Sequence, residues 1–153
     1  LWILLKERRM IISLGADHGG FELKDKLAQF LKEKGYEIID NGTNSPDSVN
    51  YPDFGAVVAK DILEKRAELG VIVCGSGIGI SISANRFKGI RAAMVTRKEY
   101  AQLARQHNNA NIIAFGGRFT NFEEAKEYLD IFLSTPFEGG RHEKRINRID
   151  ELN

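Results

Sequence analysis

Short runs of β-branched and aliphatic residues alternate along the chain with longer stretches whose apolar positions recur at helical spacing. Ile11-Ile12-Ser13-Leu14 predicts a buried strand ended by Gly15. Over residues 21–34, Phe21, Leu23, Leu27, Phe30 and Leu31 mark one face of a helix, with Gly35 as its stop. Residues 36–40 predict a second strand, followed by a polar loop that runs to Tyr51-Pro52-Asp53. A helix is predicted over 53–66, with Val57, Val58, Ile62 and Leu63 facing inward. The most hydrophobic strand, 69–74, leads directly into Gly75-Ser76-Gly77-Ile78-Gly79. Further on, the pattern predicts a short helix over 80–85, a strand over 90–95, a helix over 98–106 and a strand over 111–115. Asn121 caps a helix through 133, with Glu123 and Glu124 where the dipole favours negative charge. A basic tail helix follows Gly139-Gly140-Arg141-His142.

Continuous apolar strands separated by helices describe a parallel sheet covered on both faces. With right-handed crossovers this gives an α/β fold, a three-layer doubly wound (Rossmann-like) domain on a five-stranded parallel sheet. In such folds ligands sit beyond the carboxyl ends of the strands. Asp17 and His18, Tyr51, the 74–79 loop and Arg118 all fall there. The chain starts without Met, and Met10 directly precedes the first strand. Residues 1–9 are therefore expected to be an upstream extension, and 10–153 a single domain.

Composition narrows the classes. At 153 residues, 42% hydrophobic and 28% charged, the chain is typical of a globular domain. A net charge of +1 with mixed signs asks for neither nucleic acid nor an anionic membrane, and a small anionic substrate remains open. One cysteine allows no internal disulfide and suits a reducing compartment, so a cytoplasmic setting is expected. The three histidines, His18, His107 and His142, show no ligand spacing, so no metal and no cofactor are expected.

The loop from Cys74 is the strongest local signal. Glycines at alternate positions let the backbone approach a ligand and turn its N–H groups inward. It is not a dinucleotide fingerprint, because Ile80 and Ile82 stand where a third glycine is needed. No Walker lysine follows it, and Ile80 replaces the arginine of a thiol phosphatase cradle. Cys74 could also be an ordinary buried residue at a tight turn, though its strand-end position beside N–H groups favours chemistry. Asp17 beside His18 suits proton transfer or phosphate binding, and equally a helix cap. His107 sits at a helix C-terminus, where a simple cap is the plainer role. Arg141 and Arg145 share a helix face that could clamp a phosphate or merely be solvated.

Taken in order, these segments resemble the type B ribose-5-phosphate isomerases, within the wider family of ribose and galactose phosphate isomerases. The matching stretches include Asp17-His18-Gly19-Gly20-Phe21-Glu22-Leu23-Lys24, Asp40-Asn41-Gly42-Thr43 and Val49-Asn50-Tyr51-Pro52-Asp53. They continue through residues 74–85, 89–93, 104–111 and 139–142. Ser76 stands where many relatives carry threonine, which keeps the hydroxyl, and residues 1–9 have no counterpart.

The resemblance implies metal-free interconversion of D-ribose 5-phosphate and D-ribulose 5-phosphate through an enediolate, a step of the pentose phosphate pathway. It implies Cys74 as base, Ser76 bonded near the thiol, and the N–H groups of Gly75, Gly77, Ile78 and Gly79 around the oxyanion. His107 with Asp17 would open the sugar ring, and Tyr51 and Asn108 would position hydroxyls. His18, Arg118, Arg141 and Arg145 would bind the phosphate. It further implies a homodimer, or a tetramer of dimers, with sites at the dimer interface. A six-carbon phosphate isomerase, a non-catalytic sugar-phosphate binder and, last, a cysteine redox protein are the alternatives.

Overall fold

The computed structural model describes residues 9–152, so the expected extension over 1–9 lies almost wholly outside the described residues. Five strands form one sheet: β1 (Ile11–Ala16), β2 (Glu37–Asp40), β3 (Leu69–Cys74), β4 (Ala92–Met94) and β5 (Ile112–Gly116). Six helices are described: α1 (Phe21–Glu33), α2 (Tyr51–Leu63), α3 (Ile78–Ala84), α4 (Lys98–Gln106), α5 (Phe122–Ser134) and α6 (Arg141–Glu151). Every strand pair is parallel, in the order β2-β1-β3-β5-β4. None of the described helices is long and apolar enough to cross a membrane.

The two faces of the sheet follow from the period of two along its central strands. Val71 and Val73 of β3, with Ile113 and Phe115 of β5, pack under α1, α4 and α5. Their neighbours Ile72, Cys74, Ile112 and Ala114 point the other way, onto Val58 and Ala59 of α2 and Ile80 and Ala84 of α3. Leu27, Leu31, Leu129 and Phe132 are fully or almost fully buried, each worth about 1.5–3 kcal/mol relative to exposure. The expected three-layer domain is thus present, with a separate core on each face.

Boundaries shift by up to three residues from the sequence pattern, α2 running Tyr51–Leu63 instead of 53–66 and α3 Ile78–Ala84 instead of 80–85. Two of the strand shifts have a plain physical cause. Gly15 lies inside β1, opposite Ile72, instead of ending it. A Cβ there would fall 2.9 Å from the Phe54 carbonyl oxygen, so this glycine admits the close crossing of α2. The edge strand β4 is shorter than 90–95, since Arg91 N already donates to Asn111 Oδ1 at 2.8 Å. At α5 the anticipated cap is complete, with Asn121 and Glu124 exchanging side chain–backbone hydrogen bonds.

A polar group on α2 is buried against the sheet as well. The Asp61 carboxylate, only 3% exposed, accepts from Ser13 Oγ at 2.7 Å, Asn41 Nδ2 at 3.0 Å and Arg66 Nε at 2.8 Å. Burial pushes its pKa up, but these three donors outweigh burial and hold it below the usual carboxylate value. The depressed pKa contributes stability that is complete above the ordinary range near ~4. That contribution fades as pH falls through the lower folded value. Asp61→Asn is expected to cost about 2–3 kcal/mol in urea unfolding at neutral pH. The gap between variant and parent should narrow below pH ~4; a gap that stays constant into acid would contradict the role of the charge.

Candidate active site

The carboxyl ends of β1, β3 and β5 are stitched together by backbone hydrogen bonds. Asp17 N donates to Val73 O at 3.1 Å, Gly117 N to Cys74 O at 2.7 Å, and Arg118 N to Gly75 O at 3.1 Å. Cys74 ends β3, and its side chain is buried at 4% exposure. The loop then reverses at Gly77, whose φ of +81° is left-handed and whose N–H points at Cys74 Sγ, 3.2 Å away. Ser76 Oγ accepts from Ile78 N at 3.2 Å. Its hydroxyl therefore braces the turn, and the group bonded to the sulfur is the Gly77 amide.

Other side chains close on this loop. A Cβ at Gly79 would lie 2.5 Å from the ring of Tyr51, the first residue of α2. A Cβ at Gly75 would lie 3.0 Å from the Arg118 guanidinium. Arg118 and His18 also line a pocket of about 350 Å³ with Phe21, Glu22 and Pro46. His18 Nδ1 accepts from Val49 N at 3.2 Å, which leaves its Nε2 as the donor nitrogen when the ring is neutral. Asp17, 7% exposed, accepts from Gly19 N at 2.9 Å. It shapes its own turn, while Gly20 begins α1 without a side-chain cap.

Lys24 was not singled out in the sequence, yet it holds the loop that reaches His18. Its fully buried ammonium bonds Asp40 at 2.7 Å, Asn44 at 2.8 Å and Asp25 at 2.8 Å. A lysine inside an amphipathic helix gives no local sign of such burial. The cue was only its separation by one turn from Phe21 and Ala28 on the inner side.

The remaining candidates lie at the opposite edge of the sheet. His107 is the C-cap of α4, and residues 107–111 lead into the start of β5. Cys74 is level with Gly116, the last residue of β5. The five residues of that strand, about 13 Å of rise, separate His107 and Asn108 from the Cys74 loop. Arg141 and Arg145 are exposed on α6, which begins against His107: the His107 and His142 rings stack with centroids 4.3 Å apart. Within one chain, therefore, Asp17, His18, Tyr51, residues 74–79 and Arg118 come together. His107, Asn108, Arg141 and Arg145 form a second group, and Asp17 cannot assist His107 of its own chain.

Two residues outside the sequence candidates lie beside that second group. Arg105, half-buried, donates to Asn109 Oδ1 at 2.8 Å, Ala110 O at 2.6 Å and Thr135 O at 3.2 Å, fixing the turn after His107. Burial, with Arg91 nearby, pulls its pKa down. Glu138 lies 3.4 Å from His142 Nε2, four residues on, and the tertiary approach of His107 to His142 completes a cluster that sequence spacing hid.

An α/β domain that gathers a thiol, an amide-lined turn and an imidazole–guanidinium pocket at one sheet edge is built for a small anionic substrate. Over residues 12–149 the chain matches the Ribose/Galactose Isomerase family, and it belongs to that family. It is 44% identical over 141 residues to ribose-5-phosphate isomerase B of Escherichia coli, covering 92% of this chain and 95% of that protein. Galactose-6-phosphate isomerase subunit LacB of Clostridium acetobutylicum is 43% identical over 144 residues, covering 94% and 83%. A crystal structure of a ribose 5-phosphate isomerase from Thermotoga maritima superposes with a TM-score of 0.92 at 49% identity, covering 94% of this chain and 99% of that one.

Gly77→Ala tests the loop geometry without any substrate. Its Cβ would carry the left-handed penalty and fall 2.9 Å from the Phe115 backbone. The variant is expected to lose about 2 kcal/mol or more of stability. Ellman's reagent should then label Cys74 markedly faster. Unchanged labelling would mean that the turn does not hold the sulfur.

Proposed function

We propose that residues 10–153 interconvert D-ribose 5-phosphate and D-ribulose 5-phosphate through an enediolate, with Cys74 as the base. The protein works in the cytoplasm as a homodimer or a tetramer of such dimers, each site drawing on two copies. The observation that carries this reading is the placement of Cys74 at the end of β3. Its sulfur faces the Gly77 N–H, and the His18–Arg118 pocket opens beside the same loop. The choice of ribose is supported by relatives bearing that name in Escherichia coli and Thermotoga maritima. The chain spans 95% and 99% of their lengths, against 83% of the galactose relative.

The chemistry follows from the groups present. The phosphate binds to His18 Nε2 and Arg118 from one copy and to Arg141 and Arg145 from the second. Guanidinium forks and a neutral imidazole donor suit its oxygens. His107 of the second copy, facing Asp17 of the first, moves a proton between the ring oxygen and the O1 hydroxyl to open the furanose. Tyr51 and Asn108 align the sugar hydroxyls. The Cys74 thiolate then takes the proton from C2, the C2–H electron pair forms the C1–C2 double bond, and the carbonyl oxygen on C1 becomes the oxyanion. The amides of Gly75 and Gly79, joined by those of Gly77 and Ile78 as they turn from the sulfur and from Ser76 Oγ, stabilise that charge, a contribution of order ~3 kcal/mol per donor in comparable sites. The thiol then returns its proton to C1 while the C2 hydroxyl proton passes to O1, which leaves the C2 carbonyl of the ketose and regenerates the thiolate. The buried sulfur suits a carrier that must hold one proton away from water between two adjacent carbons.

The test is an isomerase assay in the presence of a chelator, with ribose 5-phosphate against six-carbon aldose phosphates. Turnover of the pentose with kcat/KM at least ~10-fold above the hexoses is expected, since a site shaped for one sugar length discriminates on this scale. Preference for a hexose phosphate would replace the substrate, and no turnover of either would remove the isomerase reading. Cys74→Ala should abolish exchange of the C2 proton with solvent while phosphate binding stays within about threefold. Persistent exchange would take Cys74 out of the base role.

A further inference from the structure

We infer that His107, Glu138 and His142 form a site for a divalent zinc-class metal ion, whose occupancy blocks the isomerase. One nitrogen of each imidazole and one Glu138 oxygen lie within 4.8 Å of one another. His142 is 6% exposed, and its Nε2 is buried without a hydrogen-bond partner. A buried polar nitrogen left unpaired costs about 1–3 kcal/mol, so it is expected to have a use or a ligand.

That nitrogen lies 3.4 Å from Glu138 Oε1 without forming a hydrogen bond to it. Donors bound at about 2.0–2.2 Å in a tetrahedron stand about 3.4 Å apart, so this pair already spans one edge of a zinc polyhedron. His107 is the third donor. The His107 ring stacks on His142 with planes 14° apart, so the in-plane lone pairs lie in two near-parallel planes that do not meet at one ion, and one ring must turn. His107 is the half-buried one, and Glu138 is exposed, so both can close around an ion while His142 stays fixed.

The donor set selects the ion. Two imidazoles and one carboxylate favour zinc and its late first-row neighbours over magnesium or calcium, which need more oxygen ligands. Three protein ligands leave a fourth position for water or a substrate oxygen. A bound ion uses the His107 lone pair that ring opening requires, so metal binding and turnover exclude each other. The inhibition rests on the reading of His107 as the ring-opening group; the binding does not.

The experiment measures the two separately. Zinc binding is read by competition with a chromophoric chelator on Cys74→Ala protein, which removes the thiol and needs no activity. One zinc per chain is expected, and cobalt in its place should give the intense visible bands of a tetrahedral ion. Glu138→Gln, an exposed substitution safe for folding, should weaken zinc affinity at least about tenfold. In the Cys74 protein the same Glu138→Gln change should leave metal-free turnover intact and remove inhibition by micromolar zinc. Loss of zinc binding in Cys74→Ala, or equal affinity in Glu138→Gln, would overturn the site. Zinc bound at the site with ribose 5-phosphate turnover unaffected would keep the site and remove the block, and with it the role of His107.

Discussion

The parallel pairing of β3 between β1 and β5 decides where every functional group of this chain can stand. Because all strands run the same way, every loop that leaves a strand is at one edge, and every segment that enters one is at the other. The Cys74 loop leaves β3, whereas His107 and Asn108 lead into β5. No side-chain rotation spans the sheet between them. The second copy that the proposed mechanism calls for is thus a consequence of topology, and α3 leaves Ile78 and Ile82 exposed just beyond the Cys74 loop.

The same edge logic explains how a small domain makes a precise pocket from loops. Backbone bonds between the β1, β3 and β5 loops place three segments distant in sequence within contact of each other. Behind them, the fully buried Lys24 anchors Asp40 and Asn44, and the loop beyond those residues donates to His18. The His18 imidazole is therefore oriented by a chain of charged and polar contacts that ends in the core. An ammonium taken out of water is tolerated only because its acceptors surround it.

Much of this was legible in the sequence. The continuous apolar run over residues 69–74 and the cap of α5 specify local structure, and local structure is what short-range patterns report. The Cys74 loop and Asp17-His18 could be placed at the ligand edge because strand direction alone puts them there. The His107–Glu138–His142 cluster could not be read, since it depends on how α6 folds back on α4. Neither could the burial of Lys24, which sits in an ordinary amphipathic pattern. Gly15 was misread as a stop because a glycine needed for close packing and a glycine needed for a turn look alike until α2 is in place.

The central claim is that a working site needs the Cys74 edge of one copy and the His107 edge of another. Cys74→Ala and His107→Ala, each inactive as a pure protein, can be dissociated, mixed in equal amounts and reassembled. Random pairing should restore about a quarter of parental activity on ribose 5-phosphate, because half the dimers are mixed and each carries one intact site of two. A mixture as inactive as its two components would contradict the account.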